Sequence, residues 1–445
     1  MSRLDDLDAA HLLHSLGGEP ADLAILAEGS GATIVDVAGR RYLDAVSGVW
    51  NACLGYGVTE LGEAAAAQFG RLGFGSTYAG FSNPPAIELA ARLAALAGRG
   101  LAATFFTASG ADANEAAFKT ARFYWRRMGR PDKVKVLYLE HGFAGMTLAT
   151  MSASGIAGFA EMFGPRLPGF VQLRSPYPYG CDFARPGETP GMAAARLLEE
   201  AVAAEDASTV AALILETVQG AGGVIVLPED FLREARRICT RHGILLIVDE
   251  VITGFGRTGR WFGMQHVADF APDMLTFGKA ATAGHLPLGG LMVSGAVTEA
   301  IRAGRPRWMH SSTFSGNPVC CAVALKAIEI IERDGLLARV ERLGGLLRQR
   351  LAEALDLSCV GEVRGLGLIV GVELVADRAS RRRFPAGMEV GARVRREAQA
   401  RGVLVRNRED VINLAPPYVV SEPEIERIAA VLRESIASAT QHTAP

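Results

Sequence analysis

Lys279 and Asp249, thirty positions apart, are the residues whose types and setting could do chemistry together. Asp249 closes the apolar run Gly243-Ile-Leu-Leu-Ile-Val-Asp249-Glu250, which reads as a buried strand ending in two carboxylates. Lys279 sits in Phe277-Gly278-Lys279-Ala280, ahead of the glycine-rich Ala283-Gly-His-Leu-Pro-Leu-Gly-Gly290. Five of the 46 basic residues are lysines, so a lysine in an apolar, glycine-rich setting asks for a reason. A lysine amine can form a Schiff base with an aldehyde, and a buried carboxylate can hold a pyridine nitrogen protonated. The pair suits pyridoxal 5′-phosphate. A loop lysine alone would be an ordinary solvated side chain; the carboxylate upstream sets this one apart.

Three further segments could serve the same chemistry. Thr107-Ala-Ser109-Gly110-Ala111-Asp112-Ala113-Asn114-Glu115 follows one apolar run and opens a helical one. Small residues there let backbone N–H groups approach a phosphate, with the helix dipole behind them. The same residues also describe an ordinary capped helix start. Val251, two residues past Asp249, faces the same side and can pack on a flat ring. Asp249 could itself be a metal ligand or a cap, but no histidine lies near it and glycine-rich loop follows. Arg406 lies on an apolar run, Val403-Leu-Val-Arg406, and has the planar fork that binds carboxylates. In an arginine-rich chain it also reads as a surface residue.

The elements that must position these residues alternate along the chain. Apolar runs predict strands over Ala103–Thr107, Val134–Leu139, Ala211–Glu216 and Ile244–Val248, with helices over Asn114–Arg127 and Glu229–His242. Near-continuous apolar strands between helices predict an α/β fold with a mostly parallel sheet covered on both faces. Helical spacing recurs over Thr59–Gln68, Pro85–Leu96 and Pro318–Glu332. A helix from about Leu336, strands at Gly365–Leu374, Gly402–Val405 and Val411–Leu414, and a last helix from Pro423 complete the pattern. It predicts a large domain over 59–333 and a smaller α+β domain shared by segments 1–58 and 334–445.

Bulk properties exclude several classes. A net charge of −2, with no basic run among aromatics, argues against a nucleic-acid partner. No apolar run reaches the roughly 18 residues of a membrane span, and the acidic start lacks a signal-peptide core. Six scattered cysteines without a C-x-x-C pair indicate neither a zinc site nor a disulfide framework, so a cytoplasmic protein is expected.

The ordered motifs carry a resemblance. Leu43-Asp-Ala-Val-Ser-Gly-Val-Trp50, Ser109 to Glu115, Leu215-Glu216-Thr-Val-Gln219-Gly-Ala-Gly-Gly, Asp249-Glu250-Val251, Phe277-Gly278-Lys279 and Thr313-Phe-Ser-Gly-Asn-Pro318 follow one another between about Tyr42 and Pro417. In that order they resemble the class III pyridoxal-phosphate aminotransferases, especially the amine:pyruvate and ω-amino acid:pyruvate kinds. The resemblance implies fold type I, a Schiff base on Lys279 and the ring nitrogen on Asp249. It also implies cofactor contacts from Ser109, Gly110, Ala111, Glu216 and Val251, and from Thr313 of a second subunit. Trp50 and Tyr78 would line the substrate pocket, and Arg406 would be the mobile carboxylate-binding arginine.

Two departures stand out. Anchored without gaps on Thr147 to Met151, the chain has Phe143 where the family stacks a tyrosine on the ring. Anchoring on His141-Gly142 instead would put Glu140 there, a carboxylate against a π face. Ala111 replaces a serine of the phosphate cradle. The implied protein is a homodimer or tetramer that moves an amino group, by a ping-pong route, from an amine or ω-amino acid to an oxo acid, pyruvate above all. The aromatic stretch Phe74–Phe81 has no arginine, which favours an amine over a compact diacid. An aminomutase or decarboxylase on the same scaffold is the nearer alternative. A non-catalytic phosphate- or nucleotide-binding protein is the remoter one, and leaves the Asp249/Lys279 pair unexplained.

Overall fold

The computed structural model describes residues 3–15, 23–78 and 80–441. Its centre is a seven-stranded sheet built, in chain order, from β1 (Leu101–Thr107), β2 (Lys135–Leu139), β3 (Phe170–Leu173), β4 (Val210–Glu216), β5 (Leu245–Asp249), β6 (Met274–Phe277) and β7 (Gly289–Ser294). Across the sheet the order is β1-β7-β6-β5-β4-β2-β3, parallel except at β7, which runs against both neighbours. Every residue of β4 and β5 is buried, so these strands read as continuous apolar runs. Glycine-rich β7 is a strand because its neighbours crowd it: a Cβ on Gly290 would lie 2.4 Å from the Phe277 ring.

Helix starts and stops follow local chemistry. The Gly110–Arg127 helix begins earlier than the expected Asn114, because the Ser109 hydroxyl accepts the Asp112 N–H at 3.1 Å and completes a first turn. The Glu229–His242 helix ends where left-handed Gly243 (φ 59°) closes it. Asn317 caps the Pro318–Arg333 helix through the N–H groups of Val319 and Cys320.

Two smaller sheets flank the large one. Leu26–Ser30, Thr33–Asp36 and Arg41–Asp44 are joined by Val403–Leu404 from the far end of the chain, which runs parallel to Arg41–Asp44. Val360–Leu366, Ile369–Leu374, Val411–Leu414 and Arg406–Arg408 form an antiparallel sheet. The single strand expected over Gly365–Leu374 is therefore a hairpin. Gly367 turns it at φ 56°, pressed so close to Thr258 that a Cβ would come within 2.5 Å of its carbonyl carbon. Residues 403–408 pass from one small sheet to the other, and that crossing delivers Arg406. Among the described residues no helix is long and apolar enough to cross a membrane.

Candidate active site

The carboxyl ends of β4, β5 and β6 meet the start of the Gly110–Arg127 helix around a cavity of about 400 Å³. Ligands in such sheets bind at this edge. Asp249 lies in its wall, 4 % exposed. It accepts hydrogen bonds from Asn114 Nδ2 at 2.7 Å and from the Val251 N–H at 2.9 Å. Asn114 is itself fixed, donating to the Ala144 carbonyl (2.8 Å) and accepting from Thr276 Oγ1 (2.7 Å). Burial pushes the Asp249 carboxyl above its ordinary range, opposed by these donors and by the charge of Lys279.

Glu216 stands directly opposite Asp249 in the register of β4 and β5. Burial, and then the Asp249 charge, raise its pKa too. Lys279 shares the cavity, in left-handed backbone (φ 42°). Its amine makes no hydrogen bond or ion pair among the described residues, and burial lowers its pKa against the pull of both carboxyls. Such an amine is more available as a nucleophile and as a base. The neighbouring Glu250 faces elsewhere. It accepts the N–H groups of Gly263 and Met264 at 2.8 and 2.7 Å and so anchors the next loop.

Ser109, Gly110 and Ala111 also line the cavity. Amides in a first helical turn have no intrahelical partner, so this end can receive an anion. The packing is close: a Cβ on Gly110 would fall 2.6 Å from Val251 Cγ2, and one on Gly278 would fall 3.1 Å from the Gly110 nitrogen. Phe143 also lines the cavity, its N–H held by Glu216 Oε1 at 2.9 Å. Glu140, the other occupant the sequence allows, pairs with Arg174 at 3.2 Å instead.

The rim is built differently. Trp50, in left-handed backbone (φ 55°), is buried in one apolar cluster with Ile252 and is not among the residues that line the cavity. Arg406 crosses its ring face at 5.4 Å, half-buried, and makes no ion pair among the described residues. Its charge reaches Lys279. Tyr78 and Thr313 are exposed and outside the cavity. Sequence reasoning missed Asn114 and Thr276, the pair that fixes Asp249. A poor helix former one turn past a Ser cap was the available signal for the first. It also missed Arg257, wholly buried, which donates to the Leu368 and Pro416 carbonyls (3.0 and 2.6 Å) and to Ser47 Oγ (3.1 Å). Arg257 thereby ties the Trp50 segment to the C-terminal sheet.

A sequence model of the family described as Aminotransferase class-III matches residues 17–436. The chain belongs to the class III aminotransferases. This aminotransferase is 38 % identical to the adenosylmethionine-8-amino-7-oxononanoate aminotransferase of Geobacter sulfurreducens, with 98 % of each chain covered. It is 35 % identical to the putrescine–pyruvate aminotransferase of Pseudomonas aeruginosa, over 93 % of this chain and 90 % of that one. The solved (S)-enantioselective omega-transaminase of Thermomicrobium roseum superposes with a TM-score of 0.93 at 40 % identity, covering 99 % of this chain and 98 % of the other. The fold is fold type I, the cofactor is pyridoxal phosphate, and the reactants are small amines and oxo acids.

The cavity fits that cofactor: a lysine amine without a partner among the described residues, a buried carboxylate and a glycine-lined anion end surround one space of suitable size. Pyridoxal phosphate, when bound, supplies an aldehyde carbon and an electron-withdrawing ring. Asp249, fixed by two donors, can hold a ring N–H. Ser109, Gly110 and Ala111 can hold the phosphate, Val251 and Phe143 can pack on the ring, and Lys279 can take and return a proton beside the aldehyde carbon.

Proposed function

We propose that this aminotransferase moves an amino group from a primary amine or ω-amino acid to an oxo acid, pyruvate first among them, in two half-reactions at one site. Arg406 carries the reading. A half-buried guanidinium with no ion-pair partner among the described residues, close enough for its charge to reach Lys279 in the cavity, is suited to a carboxylate that arrives and leaves. The name of the putrescine–pyruvate relative supports the same choice of acceptor. In this reading Lys279 binds the aldehyde and shuttles the proton, and Asp249 keeps the ring electron-withdrawing. Ser109, Gly110, Ala111, Phe143, Glu216 and Val251 seat the cofactor, while Trp50 and Arg406 select substrate.

Thr313 and Tyr78 serve the site of a second copy. Both are exposed on a lobe with Phe74, Phe81 and Phe314, an apolar patch of the kind that a homodimer covers. The large domain is 59–333; segments 1–58 and 334–445 form the small one, a division supported by the pairing of Val403–Leu404 with Leu43–Asp44. Six unpaired cysteines suit a reducing cytoplasm.

Acceptor specificity tests the proposal. With one primary amine as donor, pyruvate should exceed 2-oxoglutarate in kcat/KM by at least about tenfold, since the diacid brings a second carboxylate and the aromatic stretch Phe74–Phe81 offers it no arginine. Equal efficiency, or a preference for the diacid, would refute the assignment. Mixing inactive Lys279→Ala with Thr313→Ala subunits should restore activity at the site that has both native residues.

A further inference from the structure

Asn413 carries a buried amide oxygen with no hydrogen-bond partner among the described residues. It is 1 % exposed, and its Oδ1 is closed to solvent and meets no hydrogen-bond donor among the described residues. The register of the C-terminal sheet shows what stands beside it. Arg364 pairs with Gly371, Gly371 with Asn413, and Asn413 with Arg406, so the four form one rung. Side chains on a rung share a face.

One end of the rung is fixed. Arg364 donates to the Gly223 carbonyl at 2.6 Å, to the Val224 carbonyl at 3.1 Å and to Glu373 at 2.7 Å. Gly371 lets that loop in: a Cβ there would sit 2.9 Å from the Gly223 oxygen. The other end is not fixed. Arg406 rests on the Trp50 ring and makes no ion pair among the described residues. Opposed residues in such a sheet have Cβ atoms about 4.5–5.5 Å apart. An arginine side chain is long enough to span that distance.

We propose that Asn413 accepts the Arg406 guanidinium when the site holds a partner without a carboxylate, and that this second seat sets the enzyme's balance between amine and oxo acid. The inference rests on the reading of Arg406 as the carboxylate-binding residue. An amide suits the role because a neutral acceptor holds a guanidinium less strongly than a carboxylate does. An incoming oxo acid therefore wins Arg406 back. An aspartate at the same place would keep it.

Single-turnover kinetics on the two forms of the holoenzyme measure the balance, using pyruvate for one half and a primary monoamine for the other. Asn413→Asp should lower the ratio of pyruvate to amine kcat/KM by about tenfold or more, chiefly through the apparent affinity for pyruvate. Asn413→Leu, similar in size but without an acceptor, should move the ratio the other way by slowing the amine half. In an Arg406→Ala background both shifts should shrink to within about twofold. Shifts that persist there, or that affect both halves equally, would overturn the proposal. Should Arg406→Ala alone leave the pyruvate half untouched, the reading of Arg406 itself fails. Should it slow that half while the Asn413 effects persist, the Asn413 assignment alone fails.

Discussion

The inner end of the cavity and its rim are built on opposite principles. At the inner end, Asp249, Asn114 and Thr276 come from strand ends and a helix in one folding unit, and each side chain has its partners. At the rim, Trp50 and Arg406 come from opposite ends of the chain, and the Trp50 indole N–H is buried without an acceptor among the described residues. Tyr78 and Thr313 lie outside the cavity altogether. The contrast separates two tasks. Holding the ring, a task common to every turnover, uses groups fixed in advance, whereas proton transfer by Lys279 and selection by Arg406 use groups left without a hydrogen-bonded partner among the described residues.

Changes at the inner end should therefore be large and should not distinguish one substrate from another. Lys279→Ala should lower steady-state turnover by at least about 10²–10⁴-fold, the range for a lost general base, and by more if the covalent link also matters. The folded variant should still bind pyridoxal phosphate, but without a borohydride-fixable bond. Retention of about a tenth of the rate would refute the role. Asp249→Asn should lower both half-reactions together, by about 10²–10³-fold, the scale of losing one preorganised electrostatic group. Unequal slowing would point to another ring partner.

Smaller effects sharpen the comparison further. Asn114→Ala leaves Thr276 and one Asp249 oxygen short of a partner in a buried setting, which costs about 1–3 kcal/mol of stability. Urea unfolding of the cofactor-free protein would measure it; no loss would mean that Asn114 merely fills space. Glu216→Gln tests the neighbouring carboxyl. Its folded pKa is raised above the ordinary 4.5, so the folded state holds the proton longer than the unfolded chain does. Stability linked to Glu216 is therefore present below pH 4.5 and is lost as pH climbs through neutrality. The glutamine variant should match the native protein at low pH and exceed it at pH 8 in cofactor-free melting curves. Parallel curves across that range would contradict this.

Much of the inner end was legible because its signals are local. A continuous apolar run ending in Asp249, a Ser-capped glycine start and a lysine among glycines each lie within a few residues. What was not legible depends on register. Asn114 meets Asp249 across 135 positions, a contact no local pattern encodes. The hairpin at Gly367 reads in sequence as one strand, because its turn is dictated by the backbone of Thr258 and not by its neighbours. That hairpin sets the rung joining Arg364, Gly371, Asn413 and Arg406, so the arrangement around Arg406 was invisible even where the arginine itself was noticed. Short β6 and glycine-rich β7 escaped for a related reason: central position, not composition, makes them strands.

The division of labour is tested most directly by comparing Arg406→Ala with Asp249→Asn in single-turnover assays of the two half-reactions. A bidentate, charge-assisted pair contributes roughly 1.5–3 kcal/mol, or about 10–150-fold. Arg406→Ala should remove that much from kcat/KM for pyruvate while slowing a monoamine far less, whereas Asp249→Asn should slow both alike. A collapse of the amine half with the pyruvate half untouched in Arg406→Ala, or equal losses in both variants, would contradict it.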